Sequence, residues 1–239
     1  MVTTTRTPTA RKSAKPALTR MTLSETMSAL EKAGSEQTRK TYTRHGAVGP
    51  MFGVSFATLK TLLKRIGVDH ELALALWDTA NFDARNLAVK IADPARMSRS
   101  DLDRWASVPT SRVCGDYVAY LAAEGPHARS RCDAWLASSS ESRCSTGWTL
   151  VAAMAMRDED TPDAWFAERL AEIETSIAAS PNAQRKTMLH ALIAIGCRSA
   201  ALRKAATSAA KVTMPVALPP GRLRLVTRPN STGGSAMIK

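Results

Sequence analysis

Between residues 21 and 211 apolar residues return every three to four positions, in stretches of about ten to sixteen residues separated by short polar turns. In "HELALALWDTA" and "FDARNLAVKIA", Leu, Ala and Ile fall on one stripe of a 3.6-residue period, and neither stretch can bury that stripe unaided. No sustained alternation of β-branched and aromatic residues reads as a strand. Start and stop signals punctuate the pattern. Thr22 with Glu25 forms a capping box before "MSALEKAG", which Gly34 ends; Asp69 caps "HELALALWDTA"; Ser98 with Asp101, or Ser100 with Asp103, offers another start. Pro94 closes "DARNLAVKIADP", Pro126 opens "HARSRCDAWLAS", Pro162 takes the first helical position before "DAWFAERLAEIETSIAAS", and Gly196 ends "NAQRKTMLHALIAIG". About ten helices are predicted, and the chain is all-α.

Helix pairs of this kind bury their stripes by stacking on neighbours. The expected architecture is a HEAT-like α-solenoid of antiparallel helix pairs, about forty residues per unit, with a concave face for a partner. The repeats are too degenerate to fix a period, which leaves an irregular helical bundle as the other arrangement. Composition sets the expected boundaries: a basic arm over 1–20, the helical domain over 21–211, and an irregular tail over 212–239. That tail, "VTMPVALPPGRLRLVTRPNSTGG" onward, has four prolines and three arginines in this stretch.

The formal charge is +12 and the pI about 10.0, but most of the excess is outside the predicted domain. Residues 1–20 hold five basic and no acidic residues, residues 212–239 four and none, and residues 21–211 hold 24 against 21. The arms are either non-specific grips on a polyanion or solvated tails. Cys114, Cys132, Cys144 and Cys197 lack the spacing of a zinc site or redox dithiol and read as reduced, half-buried thiols, which fits a reducing cytoplasm. The N-terminus lacks the apolar core of a secretory signal, and no run of 18 apolar residues predicts a membrane span.

No Gly-rich phosphate loop, HExxH, GxSxG or tandem-Cys motif is present, so nucleotide-dependent, zinc-protease and α/β-hydrolase chemistry are disfavoured. What remains is polar residues beside helix starts. Asp116 follows Arg112 by four: either an ordinary surface ion pair, or a carboxylate able to support a developing cation and orient water in glycosidic cleavage. Arg85, Arg143, Arg185 and Lys186 stand near helix starts, where the dipole disfavours a cation unless an anion joins it. If the helices stack in register these four line one edge and follow a phosphate backbone; otherwise they are scattered solvated charges. Trp148 reads as core. His190, among Met188, Leu189, Leu192 and Ile193, is either a hydrogen-bonded, partly buried group or a contact to sugar or phosphate.

Three stretches in order, "KTYTRHGAVGPMFGVSFATLKTLLKRI", "HELALALWDTANFDARNLAVKIADP" and "KTMLHALIAIGCRS", resemble the AlkD-like DNA alkylation repair family over about residues 22–210. The resemblance implies a HEAT-like solenoid whose concave basic face holds duplex DNA. It also implies hydrolysis of the N-glycosidic bond of cationic N3- or N7-alkylated purines, with no metal or organic cofactor. By position, Asp116 falls on the family's catalytic aspartate. Arg112 replaces the aromatic four residues earlier, Arg143 or else Ser145 matches a basic position, and His190 stands where many members have Trp. The expected protein is an alkylpurine DNA glycosylase acting on damaged duplex DNA. The alternatives are a non-catalytic HEAT-like protein that recognises bent, branched or damaged DNA by shape, or a protein-binding scaffold. A monomer in the cytoplasm, associated with the nucleoid, is the expected setting. The tail from Val212 departs from the family's usual ending, being either divergent or the product of an altered reading frame.

Overall fold

The computed structural model describes residues 20–108 and 112–217, with 112–114 and 214–217 as backbone only. Most of the two expected arms, and the side chains of Arg112 and Cys114, therefore lie outside the described residues. Twelve α-helices follow one another within them: α1 Leu23–Ala33, α2 Glu36–Arg44, α3 Phe56–Ile66, α4 His70–Asp78, α5 Phe82–Ile91, α6 Arg99–Ser107, α7 Arg112–Ala123, α8 Ala128–Leu136, α9 Glu141–Arg157, α10 Asp163–Ser176, α11 Asn182–Arg198 and α12 Ala200–Ala217. The only β pairing among the described residues is an isolated antiparallel bridge between Gly34 and Val54.

Two layers result. α3, α5, α7, α9 and α11 pack one upon the next as an inner layer, and α4, α6, α8 and α10 each lie against the inner helix that follows them. α12 closes the C-terminal end against α10 and α11. This is the HEAT-like solenoid, not the irregular bundle, and one device repeats through it. Trp77, Trp105, Trp135 and Trp165 stand on the four successive outer helices, spaced 28, 30 and 30 residues apart. All four are buried, and Trp77 and Trp105 stack at 4.2 Å between centroids. The repeat is thus about thirty residues over this stretch, not forty. A fully buried large side chain contributes roughly 1.5–3 kcal/mol, so the ladder is a principal source of cohesion between units.

Local signals set most helix ends as the sequence predicts. Thr22 and Glu25 form the capping box of α1, Gly34 ends it, and Ser35, Ser55, Asp69, Asn81, Ser98 and Ser140 each accept an N–H of the following helix. Pro162 sits one place earlier than expected, at the cap of α10. Gly196 does not end α11, which continues to Arg198; a Cβ at Gly196 would lie 3.0 Å from the Ala206 Cβ, so the glycine lets α11 and α12 approach. The expected domain end at residue 211 also falls inside a helix. α12 continues past it, with buried Thr213 donating to the Ala209 carbonyl at 2.9 Å.

The loop before α3 is fixed from a distance. Asp83, fully buried near the start of α5, accepts the backbone N–H groups of Phe52 at 2.7 Å, Gly53 at 3.0 Å and Val54 at 2.9 Å. Tyr42 reaches the same loop through a bond from its hydroxyl to the Val54 carbonyl at 2.7 Å. Burial, and then the Asp83 charge, push the Tyr42 phenol above its ordinary pKa.

Candidate nucleic-acid interface

The N-terminal turns of α7, α9 and α11 come together around an open groove of about 480 Å³. Gly115 and Asp116 line it from α7, Glu141, Ser142, Ser145, Thr146 and Thr149 from α9, and Ala183 and Thr187 from α11. A Cβ at Gly115 would meet the Thr146 hydroxyl of α9 at 3.5 Å, an ordinary contact distance. The described lining is short hydroxyls with two carboxylates.

Asp116 is half-buried on the wall, and its Oδ1 accepts from the Thr149 hydroxyl at 3.3 Å. That hydroxyl also lies 3.2 Å from the Ser145 carbonyl, so one proton serves two acceptors. Thr146 and Thr187 likewise donate back to helix carbonyls, which turns their oxygen lone pairs toward the groove as acceptors. The Ser145 hydroxyl is buried and has no partner among the described residues. It is an unsatisfied donor next to Asp116, on one of the two positions the resemblance matched to the family's basic residue. Tyr120, one turn beyond Asp116 on α7, has its phenol pKa raised by burial and then by the Asp116 charge. The sequence reading sought an aromatic four residues before Asp116 and overlooked this one four after it. Its signal was the same helical spacing read in the other direction.

Of the four cations named at the starts of the inner helices, three hold protein. Arg85 donates to the Trp77 carbonyl at 3.2 Å and lies over the Trp77 ring. Arg143 donates to the Ser107 hydroxyl at the end of α6, with its Nε buried and unpartnered. Arg185 donates to the Ser180 and Ala178 carbonyls, each at 2.7 Å. Each guanidinium thus braces the C-terminal end of an outer helix or the turn after it, where carbonyls lack helical partners. Lys186 and His190 are exposed one turn apart on α11, with Ile193, 63% exposed, beyond them. His190 makes no hydrogen bond among the described residues, so the partly buried reading is set aside. Of the cysteines, Cys132 and Cys144 are buried and Cys197 is exposed. No helix among the described residues is long and apolar enough to cross a membrane.

This architecture and site lie within a known lineage. The model of a family described as "DNA alkylation repair enzyme" matches residues 26–218. The chain belongs to that family. A solved structure described as one of "a new family of proteins related to the HEAT-like repeat DNA glycosylases with affinity for branched DNA structures" superposes with a TM-score of 0.76. It shares 32% sequence identity, over 81% of this chain and 83% of the other. No curated protein gives a match. The family assignment agrees with the resemblance read from the three sequence stretches, and the shared fold is the HEAT-like solenoid.

Proposed function

We propose that this DNA alkylation repair family member binds branched or damaged duplex DNA and recognises it by shape, with the groove at Asp116 facing the sugar or base at the point of distortion. The observation that carries this reading is the 32% identity, over most of both chains, to the protein with affinity for branched DNA structures. The groove supports it. Hydroxyls and carboxylates suit sugar hydroxyls, base edges or a cationic base, whereas two carboxylates repel phosphate. Arg112 and exposed His190, at positions where the resemblance implies aromatics, offer charge and hydrogen bonds in place of stacking. Retained affinity for a four-way junction over a linear duplex of equal length is expected at physiological salt, and equal affinity for the two would refute shape recognition.

A second reading, alkylpurine DNA glycosylase, is favoured by Asp116 itself. Its carboxylate is half-buried in an open groove, beside the partnerless Ser145 hydroxyl and the Thr149 hydroxyl. Such a group can stabilise an oxocarbenium-like sugar and position water once a cationic purine begins to leave. The two readings separate cleanly. Glycosylase activity requires release of 3- or 7-alkylpurine from alkylated duplex DNA at enzyme excess, and its collapse in Asp116→Asn. Non-catalytic binding requires no release and an affinity that Asp116→Asn leaves unchanged or raises. Arg85, Arg112, Arg143, Arg185, Lys186 and His190 remain the proposed DNA contacts, with Lys186 and His190 the two that meet solvent without another described partner. The monomeric state and nucleoid location belong to the same proposal.

A further inference from the structure

Charge is distributed in three blocks along the solenoid. Residues 20–67 carry 8 Lys and Arg against 3 Asp and Glu, residues 68–176 carry 11 against 18, and residues 177–217 carry 6 against none. The pairing of those charges sharpens the contrast. Among the described residues, every ion pair except those of Arg39 and Lys40 with Glu36 lies between Glu71 and Arg198, where Arg96, Arg104, Arg129, Arg131, Arg157 and Arg169 of the middle block and Arg198 of the next are held by carboxylates. At the N-terminal end, exposed Arg20, Lys32, Arg44, Lys60, Lys64 and Arg65 form no ion pair among the described residues. At the C-terminal end the same holds for exposed Lys186, Arg203, Lys204 and Lys211.

Each end also has a concavity lined by these cations. Arg20, Lys32 and Arg65 line a groove of about 370 Å³ with Ser24 and Ser28; Glu25, which also lines it, is held first by the Thr22 cap and is also within reach of the Arg65 charge. Arg203, Lys204 and Lys211 line one of about 490 Å³ with Thr207 and Ser208, all on one face of α12. Lys60 and Lys64, one turn apart on α3, repel each other until an anion sits between them. In chain order the groove at Asp116 stands between these two ends.

We infer that the solenoid carries two separate phosphate platforms, one on α1 and α3 and one on α12, each of which takes one duplex arm of a branched DNA. This rests on the DNA-binding reading above and deepens it. A continuous linear duplex lying along the molecule would bring its phosphates over the acidic middle. Two arms that meet at a branch point reach both platforms and leave the junction over the groove. The second arm then binds as an intramolecular event, which multiplies affinity without a new contact type. Hydroxyls beside the cations, at Ser24, Ser28 and Ser208, add donors for phosphate oxygens, while that of Thr207 is spent on the Arg203 carbonyl.

The test uses the full chain, a four-way junction and a linear duplex of equal length, with affinities measured across a salt series. Two triple variants are compared with wild type: Lys60→Gln/Lys64→Gln/Arg65→Gln and Arg203→Gln/Lys204→Gln/Lys211→Gln. Circular dichroism checks that these exposed substitutions leave the helices intact. Each triple is expected to lower junction affinity about tenfold or more and to reduce the salt slope by about two to three. Each should lower linear-duplex affinity only about twofold, because the other platform still binds one duplex; combining the triples should weaken both substrates strongly. Loss of junction binding through one triple alone, or through neither, overturns the two-platform inference while DNA binding stands. Failure of wild type to bind either DNA overturns the DNA-binding reading itself.

Discussion

Asp83 grips the backbone of Gly53 across thirty residues of sequence, its Oδ2 accepting the glycine N–H at 3.0 Å inside the protein. Gly53 has φ +82°, and a Cβ there would lie 2.4 Å from the Ser35 carbonyl oxygen and 2.7 Å from the Arg39 nitrogen. One carboxylate and one glycine therefore set how α1 and α2 are seated on the rest of the solenoid. Asp83→Ala strands three N–H donors and should destabilise the protein by about 3 kcal/mol or more. Gly53→Ala should also be destabilising, by about 1–3 kcal/mol through backbone strain and the clash. Chemical denaturation measures both, and a Gly53→Ala protein as stable as wild type would refute the packing described.

Gly196 makes a contrasting prediction because its conformation is ordinary helix. Gly196→Val should destabilise by about 1–3 kcal/mol, since the added bulk meets Ala206 on α12. A helix-terminating glycine would leave α12 insensitive to the change. Hydrogen exchange resolved along the chain distinguishes the two, with faster exchange expected over Ala200–Ala210.

Stability should fall at low pH through the corner where α9, α10 and α11 meet. Burial opposes ionisation of Asp158, but bonds from the Thr161 hydroxyl and N–H and the Asp160 N–H, then the Arg198 charge, outweigh it and hold its carboxyl below 3.8. The Ser199 hydroxyl first, and then Arg198, lower Asp163 in the same direction. Both native pKa values lie below the unfolded ones, so the stabilisation is present above the unfolded value and is lost as pH falls through the native ones. Melting temperature should be insensitive to these two groups near neutrality and decline below about pH 4, with a shallower acid limb in Asp158→Asn. An acid limb unchanged by that substitution would remove Asp158 from the account.

Thiol chemistry should follow burial. Desolvation raises the pKa of Cys132 and Cys144 above the ordinary thiol value, leaving them as neutral, inaccessible thiols. In a Cys114→Ser background one native thiol, Cys197, should react with an aromatic disulfide reagent, and two more should appear only on unfolding. Rapid native titration of three thiols would contradict the packing of α8 against α9.

The helix starts were legible because a cap is a local event: Thr22, Asp69 and Ser98 each bond an N–H three residues away. Fold class followed from the stripes of "HELALALWDTA" and "FDARNLAVKIA", which need partners wherever they are placed. The thirty-residue period was also in the sequence, carried by four tryptophans, but reading helices one at a time did not reveal it. Gly196 was misread because a glycine that stops a helix and one that admits a neighbour look alike until the neighbour is in place. The braces made by Arg85, Arg143 and Arg185 were not legible, since their acceptors, backbone carbonyls for Arg85 and Arg185 and the Ser107 hydroxyl for Arg143, are placed by the ends of other helices. At the groove, Asp116 was legible by position, whereas its partner Thr149 lies 33 residues away.

Trp77 stacks on Trp105, Trp135 donates to Asp103 of α6 and Trp165 lies under Arg129 of α8, so each outer helix is tied to the one before it. Small rotations at successive rungs add along the stack, and the separation of its two ends is the sum of those rotations. A ligand that engages both ends thus reads the curvature of the whole coil. Stiffening one rung, far from any contact with the ligand, should change which ligand geometries the coil accepts.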